Sequence, residues 1–215
     1  MRKVFFTSMP GGGVDEITAG EYKIPEGSSL KPCGKVAYPV TMTMENMIQD
    51  KENEEYAVVM LGPKGNKASQ HKAGLDRELE SRGFKCKTTV VHYTKKANDQ
   101  LGAESSIKQL IGAVKNGDEI YVNIEFGANP ILFAMLFSIM IVDNALKDVS
   151  VEGVFYGEKQ FEIKDKKTGK VVRPEDYIFW DVSYLYYIGK LAGEIPSADE
   201  EDVLKNVEML LSLGK

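Results

Sequence analysis

The sequence predicts an α/β fold in which a mainly parallel β-sheet is covered by helices on both faces. Apolar runs of strand length alternate along the chain with segments of helical periodicity, which is the pattern of βαβ units. The predicted strands are almost uniformly apolar, as expected where both faces of a sheet are buried. A β-hairpin and C-terminal helices complete the prediction. A content of 43% hydrophobic and 27% charged residues is typical of a globular domain.

Each predicted element follows from its local residues. Strands are predicted where apolar or β-branched runs end at turn-forming residues: 4–6, 56–61, 86–93, 119–125, 151–156 and 177–180. Helices are predicted where apolar side chains recur at helical spacing: 43–50, 70–81, 104–115, 130–146, 182–192 and 199–213. Residues 161–163 and 170–172 flank a polar turn and predict a hairpin, whereas residues 14–40 are predicted to be irregular.

The 215 residues suit one domain, predicted over residues 1–192, followed by a helical tail over residues 193–215. The tail carries an apolar stripe at helical spacing. Its members are Val203, Leu204, Val207, Leu210 and Leu211. We expect this tail to hold one helix and no further catalytic domain.

Bulk properties exclude several classes of partner. With 27 basic and 32 acidic residues the net charge is −5, so no global basic field exists to hold long nucleic acid. The most apolar run, residues 131–142, is shorter than the ~20 residues that a membrane span needs. Two isolated cysteines and the absence of a signal-like N-terminus favour the reducing cytoplasm. The few Cys and His residues are scattered, so no metal site is predicted.

Ligands of open parallel sheets bind beyond the carboxyl ends of the strands, where the strand order reverses. The residues that follow each strand are therefore the candidates for function. They are 7–13, 62–70, 125–129 and 157–159.

The first of these turns offers hydroxyl groups and a glycine run that can approach a phosphate. Its residues are Thr7, Ser8, Met9, Gly11, Gly12 and Gly13. Consecutive glycine amides can point N–H groups at an anion. The turn has no Walker-type lysine, and no GxGxxG pattern occurs, so ATPase and dinucleotide functions are disfavoured. A flexible loop that uses glycine only for turning is the alternative.

The second turn carries four potential cations, Lys64, Lys67, His71 and Lys72, for which a solvated loop is the alternative. The turn at 125–129 ends a strand and opens a helix, whose N-terminus attracts anions.

Within that last turn, Asn129 either caps the helix or contacts a ligand. Phe126, Gly127 and Ala128 complete the turn. Glu125 would repel phosphate and instead suits a sugar hydroxyl or a base amine, with Asn123 on the same face of the strand.

Catalytic templates are mostly absent. No GxSxG pattern occurs, and the two histidines make a Ser-His-Asp triad improbable. Residues 162–164 match half of a metal-dependent nuclease pattern, but they lie in the predicted hairpin.

Residues 117–124 (GDEIYVNI), followed by a polar turn and an apolar helix, resemble the CARF domains of type III CRISPR defence proteins. Further similar segments occur in the family's order. They are the Gly-rich turn at 5–13, LKPC at 30–33, VFYGE at 154–158 and the Trp180-Asp181 pair before a helix. The resemblance covers about residues 2–192. It departs at Asn123, where the family has Asp, and at 125–129, which lacks the family's His and Arg.

The resemblance implies a Rossmann-like fold, a two-fold homodimer and a role in antiviral signalling. A cyclic oligoadenylate of four or six units would lie across the dimer axis, against the turns after the first and fourth strands, with no cofactor. The implied binding residues are Met9, Gly11, Gly12, Gly13, Lys64, Lys67, Asn123, Glu125, Phe126, Gly127, Ala128, Asn129 and Lys159. The family's HEPN ribonuclease motif does not occur, so a stand-alone sensor or one half of a longer protein is expected.

Some stand-alone members of the family are ring nucleases that need no metal, and without an obvious general base the rate in this chain is expected to be slow. The resemblance then implies that Ser8 or Thr7 orients the scissile phosphate while glycine amides and one lysine stabilise the developing charge. Whether the ring is cleaved stays open, as does the choice among Lys64, Lys67 and Lys159. Two alternatives are an enzyme acting on a small nucleotide or sugar phosphate, with Glu125 as acid or base, and an interaction or transcription module. The module would dock through residues 184–187 and the C-terminal stripe.

Overall fold

A computed structural model describes residues 1–10, 13–93, 100–125, 130–160, 163–164, 171–173 and 176–194. The strands are β1 (Arg2–Ser8), β2 (Gly20–Glu21), β3 (Lys35–Val36), β4 (Glu55–Pro63), β5 (Thr88–Tyr93), β6 (Glu119–Ile124), β7 (Ser150–Gln160), β8 (Ile163–Lys164), β9 (Val171–Arg173) and β10 (Asp176–Asp181). The helices are α1 (Pro39–Met47), α2 (Asn66–Ser81), α3 (Gln100–Gly112), α4 (Pro130–Ala145) and α5 (Ser183–Glu194), with a short 3-10 turn at Val14–Glu16.

Six strands form one sheet in the order β10-β7-β6-β1-β4-β5. All neighbouring pairs are parallel except β10 with β7, which is antiparallel. The chain runs outward from β1 through β4 to β5 and then returns to β6 on the other side of β1. The strand order therefore reverses between β1 and β6. This architecture confirms the predicted Rossmann-like α/β fold.

Each face of the sheet has its own core, because alternate residues of a strand point to opposite faces. Phe5 and Tyr121 stack at 4.9 Å between ring centroids on the face covered by α1 and α2. Phe6 and Val122 pack on the other face, against α3 and α4. Burying a large apolar side chain contributes about 1.5–3 kcal/mol, so these two layers hold the central strands in place.

The segment between β1 and α1 was expected to be irregular, and it contains only two short strands and a 3-10 turn. It nevertheless packs into the α1 side of the core, since Tyr22 and Val36 are almost completely buried. Lys23 exchanges backbone hydrogen bonds with β10, donating to the Tyr177 carbonyl and accepting from Phe179, each at 2.9 Å. The segment thus extends the sheet beyond β10.

Several predicted boundaries were wrong. Helix α1 begins at Pro39 rather than residue 43, because proline suits the first helical position, where its missing N–H is not needed. Helix α2 begins at Asn66, so much of the predicted second turn is helical. Residues 157–159 are not a turn, because β7 continues to Gln160 in antiparallel register with β10.

Other boundaries agree within a few residues, and β8 and β9 pair as the predicted hairpin. The predicted helix over 199–213 and the boundary near residue 192 concern a region that is largely outside the described residues. Across the described ranges, every helix falls short of the length and apolarity required to cross a membrane.

Candidate functional site

The carboxyl ends of β1 and β6 lie side by side at the point of strand reversal. The strands are in register from Lys3 opposite Glu119 to Phe6 opposite Val122. Beyond this pairing, the Ser8 hydroxyl donates a hydrogen bond to the backbone carbonyl of Glu125. This bond ties the start of the first candidate turn to the start of the last one.

The two turns themselves are only partly described. Gly11, Gly12 and residues 126–129, which include Phe126, Gly127, Ala128 and Asn129, lie outside the described residues. Met9 is buried, and its amide donates to the Leu61 carbonyl at 2.7 Å, so the first turn crosses towards β4. Gly13 is partly buried next to the 3-10 turn. Helix α4 starts at Pro130, as predicted.

Asn123 connects three elements beneath this edge. It is fully buried, and its Oδ1 accepts a hydrogen bond from the Thr43 hydroxyl of α1 at 2.5 Å. Its Nδ2 donates to the Phe6 carbonyl of β1 at 3.4 Å. The contacts of Asn123 seen here hold α1 and β1 against β6, and contact with a ligand stays a prediction.

Glu125 is the most unusual residue at the edge. It is 1% exposed, and neither carboxyl oxygen makes a well-formed hydrogen bond within the described part of the chain. Burial raises the pKa of this carboxyl well above its ordinary value of 4.5. The Thr7 hydroxyl and the Val40 amide lie close enough to favour the charged form, but their effect is smaller than that of burial.

Burial therefore shifts Glu125 towards its neutral form, which changes the sequence-based expectation for this residue. A neutral carboxyl does not repel phosphate as an ionised one would. Its side chain lies in the interior against Thr7 and Val40, and Thr7 is itself only 1% exposed. Contact between Glu125 and a sugar or base stays a prediction.

A second carboxylate lies in the same region, beside the start of α1. Glu78 of α2 accepts hydrogen bonds from the Ala37 amide at 2.7 Å, the Tyr38 amide at 3.3 Å and the Thr41 hydroxyl at 2.5 Å. Carboxylates are stabilised near a helix N-terminus, which carries a partial positive charge. Glu78 thus satisfies the amides that precede α1, and Glu125 faces the amide of Val40 at the second helical position.

Buried aromatic groups complete this polar cluster. The Tyr38 hydroxyl lies 3.3 Å from Nδ1 of His71, which is fully buried. Burial, with a smaller contribution from Glu78, raises the pKa of Tyr38 to about 12. Burial also raises the pKa of Tyr22, to which Glu125 contributes. The raised pKa values keep both tyrosine hydroxyls of this cluster protonated.

The predicted basic turn is smaller than the sequence indicated. Lys64 and Lys67 are exposed at the junction of β4 and α2, next to β1 in the sheet. Lys72 pairs with Asp76 one helical turn away, at 2.5 Å, and His71 is inside the protein. Two cations of the predicted four thus remain at the surface.

Lys159 also lies at this edge of the sheet, but on a strand and not in a turn. Strand β7 pairs with β6 only as far as Tyr156, so its last four residues project beyond β6 with β10. The Lys159 ammonium lies over the Tyr177 ring, 5.3 Å from its centroid. The position of this lysine is therefore set by the extension of β7 beyond β6, and not by the predicted turn.

Sequence reasoning missed Thr43, Tyr22, Tyr38 and Glu78, which reach the cluster from elements distant along the chain. No local pattern distinguishes them from ordinary core or surface residues. Within the described ranges, no three His, Cys, Asp or Glu side chains are grouped so as to hold a metal ion. Comparison of the chain with protein-family models and with curated proteins finds no match.

Proposed function

We propose that this chain is a homodimeric receptor for a cyclic oligoadenylate, bound at the edge formed by the ends of β1 and β6. The observation that supports this proposal most directly is the reversal of strand order between these two strands, where open α/β sheets bind ligands. The Ser8 hydroxyl bonded to the Glu125 carbonyl keeps the two candidate turns together. The proposal rests otherwise on the resemblance of residues 2–192 to CARF domains.

The electrostatics of the edge are compatible with a phosphate ring despite the net charge of −5. The N-terminus of α4 follows directly on the turn at 126–129 and favours an anion. Lys64 and Lys67 add positive charge at the neighbouring strand end. Because burial raises the pKa of Glu125, the residue that precedes the turn opposes phosphate binding less than an ordinary carboxylate would.

The surface of α4 supports the dimeric state. Phe133 and Phe137 are 60% and 57% exposed and lie one helical turn apart in the first half of the helix. Burying each ring between two subunits would contribute about 1.5–3 kcal/mol. Since α4 begins at the candidate turn, pairing through this face would bring the turns of two subunits towards one two-fold axis, as a symmetric ring requires.

Cleavage of the ring is the finer part of the proposal. The ribose 2′-hydroxyl would lose its proton to water and attack the neighbouring phosphorus, and the 5′-oxygen would leave and take a proton from water, producing a 2′,3′-cyclic phosphate and a 5′-hydroxyl. Ser8 is buried and bonded to the Glu125 carbonyl, so it must exchange that partner before it can orient a phosphate. We therefore expect slow cleavage.

Thermal unfolding in the presence of cyclic tetra-adenylate, cyclic hexa-adenylate and AMP tests the receptor. A ligand present at 100 times its dissociation constant stabilises the folded protein by about 2.7 kcal/mol, which is readily measured. Stabilisation by a cyclic adenylate and not by AMP is expected. Stabilisation by AMP alone would favour a small-nucleotide enzyme, and no shift with any of them would contradict the receptor.

The variant Ser8→Ala tests the catalytic role. In EDTA, chromatography should show cleavage slowed more strongly than binding is weakened, because the hydroxyl is needed at the scissile phosphate and the fold retains its other strand contacts. Ser105→Ala, on the exposed surface of α3, is the matched control and should change neither. Equal losses of binding and cleavage in Ser8→Ala would remove the catalytic role and leave a structural one.

A further inference from the structure

Two aromatic side chains lie exposed beside the candidate ligand edge, where β7 and β10 begin to extend beyond β6. Trp180 is directly opposite Tyr156 in the antiparallel pairing of these two strands. Opposite residues of such a pair point to the same face of the sheet, with Cβ atoms about 4.5–5.5 Å apart. Each of the two side chains is 39% exposed. Together they form one surface patch, which we call the aromatic pair.

The other face of the same strands is packed. Tyr177 and Phe179 lie edge-on to the ring of Tyr22, with centroid distances of 5.3 and 6.2 Å, and Phe179 is fully buried. The fold therefore has an aromatic core at this level of the sheet, and the aromatic pair lies outside it. Exposed apolar groups that are scattered singly need no explanation, whereas neighbouring ones mark a binding surface.

The aromatic pair lies next to the predicted phosphate-binding turn. Tyr156 is in register with Ile124, the last residue of β6, and the turn begins one residue later. Val154, two residues before Tyr156, packs on the face that α4 covers, so the aromatic pair and α4 share one face of the sheet. Adjacent strands are about 4.8 Å apart, which places the pair one and two strands from the end of β6. A phosphate at the turn and a ring on the aromatic pair can thus belong to the same nucleotide.

The chemistry of this face suits a nucleobase better than a phosphate. The further side chains that strand alternation places here are Glu158 on β7 and Asp176 and Ile178 on β10, and none of these is basic. The ammonium of the nearby Lys23 is paired with Asp176 at 2.8 Å. An anionic group would therefore gain little on this face, whereas a planar heterocycle stacks on tyrosine and tryptophan rings whatever its sequence context.

We propose that the aromatic pair stacks an adenine base of the cyclic oligoadenylate, with Tyr156 and Trp180 as the stacking residues. This inference rests on the proposed function and adds a base-binding part to a site whose turns offer only polar groups and glycine amides. A two-fold dimer presents one aromatic pair from each subunit, so each half of a symmetric ring meets the same stacking surface.

Isothermal titration calorimetry with cyclic tetra-adenylate and cyclic hexa-adenylate tests the stacking in Tyr156→Leu and Trp180→Leu. Leucine keeps an apolar side chain on the strand but offers no flat ring. Each variant should raise the Kd by roughly 5- to 150-fold, the effect of removing the ring on which one base stacks. Circular dichroism of each variant verifies that the domain stays folded.

Tyr187→Leu is the matched control, since it removes another exposed tyrosine ring. The Tyr187 hydroxyl donates to the Val151 carbonyl, which lies five residues before Tyr156 and about 16 Å away along β7. This variant should therefore bind with the Kd of the unmodified protein.

Trp180 is the single tryptophan of the sequence, so its fluorescence reports on the aromatic pair directly. A stacked adenine should quench the emission, and the quenching should saturate with the Kd found by calorimetry. If a ring binds with heat but leaves the emission unchanged, or binds both leucine variants as it binds the unmodified protein, the stacking is refuted and the receptor stands. If neither ring produces heat, the receptor is refuted and the stacking with it.

Discussion

The substitution Glu125→Gln gives the sharpest test of the structural description. The glutamate is 1% exposed and its carboxyl oxygens have no well-formed hydrogen bond within the described residues. An ionised carboxylate there would lack the solvation that water provides, at a cost of several kcal/mol. Burial therefore raises its pKa well above 4.5. Glutamine has nearly the same shape and does not titrate.

The sign of the pH dependence follows from proton counting. Between the unfolded-state pKa, near 4.5, and the raised folded-state pKa, the native protein binds one proton more than the unfolded chain does at this position. Glu125 thus contributes most to stability below about pH 4.5, and that contribution is lost as the pH rises towards the folded-state pKa. Within this window the contribution of Glu125 to the free energy of unfolding falls by about 1.4 kcal/mol per pH unit. That slope is large beside a total stability of about 5–15 kcal/mol.

Urea unfolding followed by circular dichroism from pH 5 to pH 8 measures the effect. The stability of Glu125→Gln relative to the unmodified protein should rise with pH, with a slope of up to about 1.4 kcal/mol per unit. Glu21→Gln is the control, because this glutamate is exposed on β2 and water solvates it in both states. A stability difference for Glu125→Gln that does not change with pH would refute the neutral, buried carboxyl.

Two further predictions concern contacts that position the edge. Gly157→Ala should destabilise the fold by about 1–3 kcal/mol in urea unfolding, because its Cβ would lie 2.8 Å from Pro39 at the start of α1. Gly112→Ala, where a Cβ meets nothing within 4 Å, should cause no loss, and equal effects of the two would contradict this packing. Asp118→Ala should cost about 3 kcal/mol, because it removes two of the hydrogen bonds of the partly buried Arg2, at 2.5 and 3.0 Å, and leaves only the one to the Ala113 carbonyl. The double variant with Arg2→Ala should recover part of that loss in the same assay, and full additivity would show that the pair is not coupled.

The α/β class and the positions of most elements could be predicted from the sequence because local patterns determine them. The mostly apolar run at 119–124, in which only Glu119 and Asn123 are polar, predicts a strand buried on both faces, and β6 is such a strand. Pro130 predicts the start of α4 because proline favours the first helical position. The pairing of Asn123 and Glu125 on one face follows from the two-residue period of a strand.

Only the tertiary structure decided what those side chains meet. Residues 157–159 look like a turn because a glycine interrupts the run, but pairing with β10 extends β7 through them. His71 looks like one of four surface cations, yet α2 directs it towards Tyr38 in the core. The burial of Glu125 depends on Thr7 and Val40, which reach it from β1 and α1, more than 80 residues away along the chain. Periodicity reports which face of an element is apolar, whereas the charge state of a buried group depends on contacts between elements, which no short stretch of sequence contains.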